Sequence, residues 1–197
     1  MKLIYIILLC GIGHFAAAQS YASAQYSINF PMGNTADFIS KPSFRGFTFD
    51  YRYEVTPRIL VGLSAGWYTF YNEAGFDSYT SKDESITASG QQYRYMNSVP
   101  LLVMADYYFS EENLKPFIGV GLGTTYNRAD LEMGMYTWRV DPWQFSVAPE
   151  AGLAYRIAEG TSALVSVRYN VSFSSGDLDT QSFLGMNIGI VASLNRQ

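Results

Sequence analysis

Seven charged side chains stand on faces that the surrounding sequence otherwise keeps small or polar: Asp50, Arg52, Arg94, Asp106, Glu150, Arg156 and Arg168. The residues on either side of each are apolar, so in extended chain the acids and bases share one face. Such a set supports carboxylate–guanidinium pairing. Once buried, the pairing is obligatory, because removing one partner leaves the other's charge stranded at about 3–5 kcal/mol. Nucleophilic chemistry is another matter. The only cysteine, Cys10, and the only histidine, His14, both precede residue 19. Residues 19–197 therefore offer no thiolate, no imidazole base, no Ser–His–acid triad and no Cys/His metal set. Two acidic pairs, Asp83–Glu84 and Asp177–Asp179, lie in polar stretches and read as solvated loop tips. Calcium binding at such carboxylates is unspecific. No catalytic, metal or cofactor residues are expected.

The elements that must position these charges alternate with period two. In Tyr21–Pro31 the even positions are apolar, and in Ser43–Val55 the odd ones are, with Thr48, Asp50, Arg52 and Glu54 opposite. Ile59–Tyr71 sets Val61, Leu63, Ala65 and Trp67 against Gly62, Ser64, Gly66 and Tyr68. Tyr93–Phe109 carries Arg94, Ser98, Met104 and Asp106 on its polar side. The next strand, running to Tyr126, is half bare, with Gly119, Gly121 and Gly123 alternating with Ile118, Val120 and Leu122. Trp143–Ile157, Ala163–Phe173 and Phe183–Leu194 repeat the pattern, the first two bearing Glu150, Arg156 and Arg168 on the polar face. Eight strands result, each near or above the ~9–11 residues that cross a bilayer when tilted.

Short turns (Thr56–Arg58, Ser110–Lys115, Ala158–Thr161) alternate with longer loops (Met32–Pro42, Asn72–Gln92, Asn127–Pro142, Ser174–Gln181). Aromatics gather at both strand ends, Phe30, Trp67, Tyr71, Tyr93, Tyr95, Tyr126 and Trp143 by the loops and Tyr53, Tyr107, Phe109 and Tyr155 by the turns. Even strand number, turn asymmetry and two aromatic girdles together specify an all-β, eight-stranded antiparallel up-and-down transmembrane β-barrel. A soluble lipocalin-type barrel would place the greasy face inward. Here the opposite face holds the charges, and a charge at the bilayer midplane costs roughly 2–4 kcal/mol, so the charged face belongs in the lumen.

Counting about the turns refines that lumen. Glu150 and Arg168 come out as near-direct partners about Ala158–Thr161, with Asp50 at similar height. About Ser110–Lys115, Asp106 falls opposite Gly119 and Met104 opposite Gly121. The expectation is a charge network that plugs the lumen structurally, with a gate or proton path as the other use. Tyr68, Phe70, Met96 and Leu102 share lumen parity toward the loops and could line an apolar pocket, although core packing explains them as well. Pro100 and Pro149 fall inside strands, where each removes a ladder donor. In Asn127–Pro142, Leu131, Met133 and Met135 alternate, with Tyr136, Trp138 and Val140 following, as in a projecting hairpin or an interfacial aromatic anchor.

Lys2, the apolar run Leu3–Ile12 and Ala16–Ala18 read as a signal peptide spanning 1–18, leaving 19–197 as one barrel domain. Leu9 before Cys10 argues against a lipoprotein site. Loss of Lys2 would take the net charge from −4 to about −5, and no basic cluster exists for nucleic acid. The composition is 48% hydrophobic and 16% aromatic with 15% charged residues, below the roughly 25% charge usual in soluble domains.

Three segments carry a family likeness: Val99-Pro100-Leu101-Leu102, Lys115 through Gly123 (KPFIGVGLG) and Pro149 through Arg156 (PEAGLAYR). With them the chain resembles the small outer-membrane β-barrel family that includes the OmpX/Ail, OmpA-transmembrane-domain and OmpW proteins, and is most similar to PorT-like "outer membrane protein beta-barrel domain" variants. The turn asymmetry puts both termini on the periplasmic side, and the expected setting is a monomer in the outer membrane of a Gram-negative-type bacterium, with the lipid bilayer as its first partner and extracellular or periplasmic protein partners. A lumen only wide enough for side chains and long polar loops point to a structural or surface-binding, adhesive module acting through its external loops. The OmpW likeness implies instead binding or passage of a small hydrophobic compound, and the PorT likeness a place in a secretion or motility assembly. Such barrels end on an aromatic, whereas this chain ends Ser193-Leu194-Asn195-Arg196-Gln197. Gly189, Ala192 and Leu194 are the expected weaker signal.

Overall fold

The computed structural model describes residues 19–80, 87–134 and 136–194. The leader expected at 1–18, the Asp83–Glu84 pair, Met135 and the last three residues lie outside that range. The elements are β1 (Ser20–Met32), α1 (Asn34–Phe38), β2 (Gly46–Thr56), β3 (Ile59–Thr80), β4 (Thr87–Tyr108), β5 (Leu114–Met133), β6 (Tyr136–Val140), β7 (Trp143–Ala158), β8 (Thr161–Ser172) and β9 (Gln181–Ser193). All strand pairs are antiparallel. The order β4-β3-β2-β1-β9-β8-β7-β5 returns to β4 through β4–β5 pairing, which closes an eight-stranded barrel. Among the described residues no helix is long and apolar enough to cross a membrane.

Alternation decides which way each side chain points. Leu63 and Val103 are cross-strand neighbours, each 60% exposed on the outer face. Thr48, Ser98 and Asn187, at inward positions, are buried. Outward aliphatics with buried inward Ser, Asn and Arg invert a soluble core, and the outer belt needs an apolar solvent.

The wall is lopsided. Beyond Tyr68, opposite Gly46, β3 has no β2 neighbour, yet it stays paired to β4 up to Thr80↔Thr87, with a bulge at Ala74/Phe76. Asn72–Gln92, expected to be a loop, is therefore mostly continued hairpin, carried by β-prone Tyr and Thr, with the tilted Tyr71 and Tyr95 rings 4.9 Å apart at its base. In the same way β5 runs on to Met133, and β6 pairs back onto it. β6 has the same register against β5 as β7 does, Ala129↔Val140 following Tyr126↔Trp143. β6 and β7 are thus one strand interrupted at Asp141-Pro142, and the barrel's strand number stays at eight. Met32–Pro42 is not simple loop either, since α1 folds within it.

Both awkward prolines have an explanation in the ladders. β3–β4 pairing lapses between Ala65↔Leu101 and Tyr68↔Ser98 and resumes in register, with Pro100 in the gap. β7–β8 pairing lapses between Val147↔Val171 and Glu150↔Arg168, with Pro149 in the gap. On their other sides both prolines stay paired to β5, so each missing donor falls where a ladder is already open.

Candidate functional site

The lumen is filled in layers. In the half of the barrel toward the short turns lies a charge layer built from inward positions of β1–β4, β7 and β8. Arg168, 1% exposed, donates from Nη2 to Glu150 Oε2 at 2.7 Å and from Nη1 to Ser64 Oγ at 2.9 Å, and its Nη2 lies 3.5 Å from Asp50 Oδ1. Arg52 reaches Asp50 at 3.5 Å and pairs through Nε with Asp106 Oδ2 at 2.5 Å. Ser23 and Gln25 donate to Asp50 Oδ2. Asp50, Arg52, Asp106, Glu150 and Arg168 are brought together; Arg94 and Arg156 are not. Arg156 is exposed near the short turns. Arg94 lies at the opposite end, where it donates to Gln92 Oε1 at 2.9 Å and to Phe38 O at 3.1 Å, and stacks 5.5 Å above the Phe38 ring. Arg94 thus fastens α1 to β4. Sequence parity places it on the correct face but carries no information on height along the barrel.

The glycine strand gives this layer room. Asp106 pairs across from Gly119, Met104 from Gly121 and Leu102 from Gly123. A Cβ on Gly119 would collide with Asp106 Oδ1, and one on Gly121 would come within 2.5 Å of Met104 Sδ. Above it, Leu102, Met104 and Ala148 form a small apolar layer.

Toward the long loops, Tyr68, Phe70 and Met96 cluster with Phe183 and Ile39, while Leu102 belongs to the layer beneath. The Phe183 ring meets Tyr68 at 5.2 Å and Phe70 at 5.3 Å, and Tyr68 Oη lies 2.8 Å from Thr48 Oγ1. The chamber is occupied by its own side chains and roofed by α1. Thr35 Oγ1 donates to Gln181 Oε1 at 2.8 Å and accepts from Ser182 N at 2.9 Å. Phe183, Ile39 and Thr35 were missed in the sequence. Phe183 alone left a signal, an aromatic at inward parity on its strand.

Two further features lie at opposite ends. At the short turns an open cavity of about 320 Å3 sits over the charge layer, bordered by Tyr108, Phe117, Leu164 and Arg156 among others. Its sequence signal is a large apolar residue at lumen parity beside a turn, as at Leu60, Tyr108, Phe117 and Leu164. At the other end the β5–β6 hairpin carries Asp130 between Arg128 Nε at 2.8 Å and Arg139 Nε at 2.6 Å. The hydrogen bond to Asp130 raises the Arg139 guanidinium above its ordinary value. On the other face Tyr136 and Trp138 stack at 5.9 Å.

A family model described as "Outer membrane protein beta-barrel domain" matches residues 5–190. No curated protein matches the chain. Among solved structures, the attachment invasion locus protein Ail of Yersinia pestis, crystallised with the heparin analogue sucrose octasulfate, is 14% identical with a TM-score of 0.54, covering 90% of this chain and 99% of its own. OprG from Pseudomonas aeruginosa, an outer membrane protein, is 12% identical with a TM-score of 0.57, covering 91% and 97%. The outer membrane protease OmpT of Escherichia coli is 12% identical with a TM-score of 0.51, covering 76% and 63%. At these identities the likeness concerns the fold, which an attachment invasion locus protein and a protease also share.

Proposed function

From the premise that this chain belongs to the outer membrane protein beta-barrel domain family, we propose that it is a non-enzymatic structural and surface-binding module of the outer membrane. In this reading the short turns and both termini face the periplasm, the long-loop end faces outward, and the protein is a monomer with no nucleic-acid partner. The absence of His and Cys from residues 19–197 supports a role without catalysis. One observation carries the reading: the lumen is filled at two levels while one wall of the barrel is prolonged into a sheet that ends on an exposed strand. Among the described residues β6 is the terminal strand of the sheet, laddered to β5, and a terminal strand is where a partner strand can add. Eight strands enclose only enough width for side chains. The charge layer is read as a structural plug.

The test pairs transport with adhesion. Vesicles bearing the barrel should pass no more small apolar solute than empty ones. Cells displaying it should adhere to protein-coated surfaces, and replacing 129–140 with a short Gly-Ser turn should abolish that adhesion. Substantial solute flux, or adhesion indifferent to the hairpin, defeats the reading.

The second reading, binding or passage of a small hydrophobic compound, draws on the apolar chamber of Tyr68, Phe70, Met96, Phe183 and Ile39 under α1. Here α1 is a lid. Arg94→Ala releases it, and this reading requires faster uptake of an apolar dye by that variant than by the parent.

A further inference from the structure

The cavity at the short-turn end is divided by strand into two unlike walls. β4, β5, β7, β8 and β9 contribute Tyr108, Phe117, Ala154, Leu164 and Val191, an apolar cluster in which the Tyr108 and Phe117 rings stack at 5.1 Å. β1 and β2 contribute Tyr21, Asp50, Arg52 and Glu54. A greasy, aromatic wall thus looks across at a charged one.

The charge is unevenly distributed with depth. At the mouth, Glu54 and Glu159 are matched by Lys115 and Arg156. At the floor, the carboxylates of Asp50, Asp106 and Glu150 outnumber the guanidiniums of Arg52 and Arg168 by one. Asp106 spends Oδ2 on Arg52, while its buried Oδ1 accepts no hydrogen bond. That oxygen packs against Gly119, where no side chain supplies it a donor. A buried carboxylate oxygen without a donor is costly, and a hydrogen-bonded cation is the group that relieves it most.

We infer that this vestibule binds a small organic cation with an apolar body, its ammonium or amidinium directed to the Asp106 and Asp50 carboxylates and its body laid on the Tyr108–Phe117–Leu164 wall. Size, charge and wall chemistry agree. The volume of about 320 Å3 lies at the small end of the roughly 300–1,000 Å3 of ligand pockets. An excess negative charge at depth selects cations that enter, while the balanced mouth repels neither sign. Aromatic rings at the wall add attraction for a cation and for an apolar ring. An anion meets the floor carboxylates, and a neutral compound of the same shape leaves Asp106 Oδ1 without a donor. The site is independent of the projecting sheet and of the adhesive reading.

The experiment uses the full barrel in nanodiscs with labelled Leu and Val methyls, titrated with 2-phenylethylammonium and, separately, with 2-phenylethanol and phenylacetate. Saturable shifts are expected at Leu164 and Val191, with Leu102 unmoved. The neutral and anionic analogues should bind at least about tenfold more weakly, as expected when a charged hydrogen bond is lost. Asp106→Asn should weaken the cation by a similar factor, and Ala154→Phe, which fills the space and leaves every charge in place, should abolish binding. A mobility shift on boiling shows that each variant is folded. Where Asp106→Asn does not fold, Ala154→Phe and the ligand series decide. Equal binding of 2-phenylethanol, retention in Ala154→Phe, or no saturable shift at millimolar probe overturns the inference.

Discussion

Arg168 and Glu150 face each other directly across β8 and β7, with Nη2 2.7 Å from Oε2 and both side chains 1% exposed. The pair lies beside Asp50 and Ser64 rather than in water, so neither charge has solvent to fall back on. Arg168→Met should lower the stability of the refolded barrel by about 3–5 kcal/mol, because Glu150 and Asp50 lose their shared guanidinium. Denaturant unfolding followed by gel mobility measures this. A parent-like unfolding midpoint would remove the pair from any structural role.

The glycine strand yields a ranking. A Cβ on Gly123 meets backbone, the Leu101 carbonyl and Leu102 Cα; on Gly119 it meets the Asp106 carboxylate; on Gly121 it meets the movable Met104 and Leu102 side chains. Alanine substitutions should therefore destabilise in the order Gly123, Gly119, Gly121, the largest by about 1–3 kcal/mol as overpacking usually does. Gly75, with nothing within 4 Å of its built Cβ, is the control. Should Gly121→Ala prove the most damaging, the packing assignment is wrong.

Leu63 and Val103 form an outward pair in the barrel wall. Leu63→Arg should destabilise the bilayer-embedded protein by roughly 2–4 kcal/mol, as expected for a cation at the midplane. Folding titrations in lipid vesicles check the value, and a negligible penalty would move Leu63 out of the hydrocarbon zone.

Two closures in series predict a conductance result. Phe183→Ala empties the chamber below α1 and should cost about 3–5 kcal/mol, yet the charge layer beneath it stays intact. Planar-bilayer recordings should show conductance no higher than the parent's. A clear rise from this substitution alone would mean that Arg168, Asp50 and Glu150 are no barrier.

Strand alternation made the barrel legible because one residue of slip would send every aliphatic inward. It also allowed Asp106 to be counted opposite Gly119 and Glu150 opposite Arg168, since short turns leave little freedom of register. The extensions of β3 and β4 are not legible because Asn72–Thr80 and Thr87–Gln92 lack a regular apolar–polar alternation, their strand form resting on pairing between β3 and β4. Arg94 was grouped with the other charges because parity reports which face a side chain takes and nothing of its distance along the axis. The α1 roof depends on long-range bonds from Thr35 to Gln181 and Ser182, to which no local pattern corresponds.

The continuity of β6 with β7 has a mechanical consequence. Because the hairpin at 129–140 extends the same ladder that forms the wall, a pull on its tip runs parallel to the strands. Load is then shared across a row of hydrogen bonds in shear instead of opening them one at a time. A tether attached there would draw on the whole embedded wall for its strength, with the interruption at Asp141-Pro142 lying in the line of force.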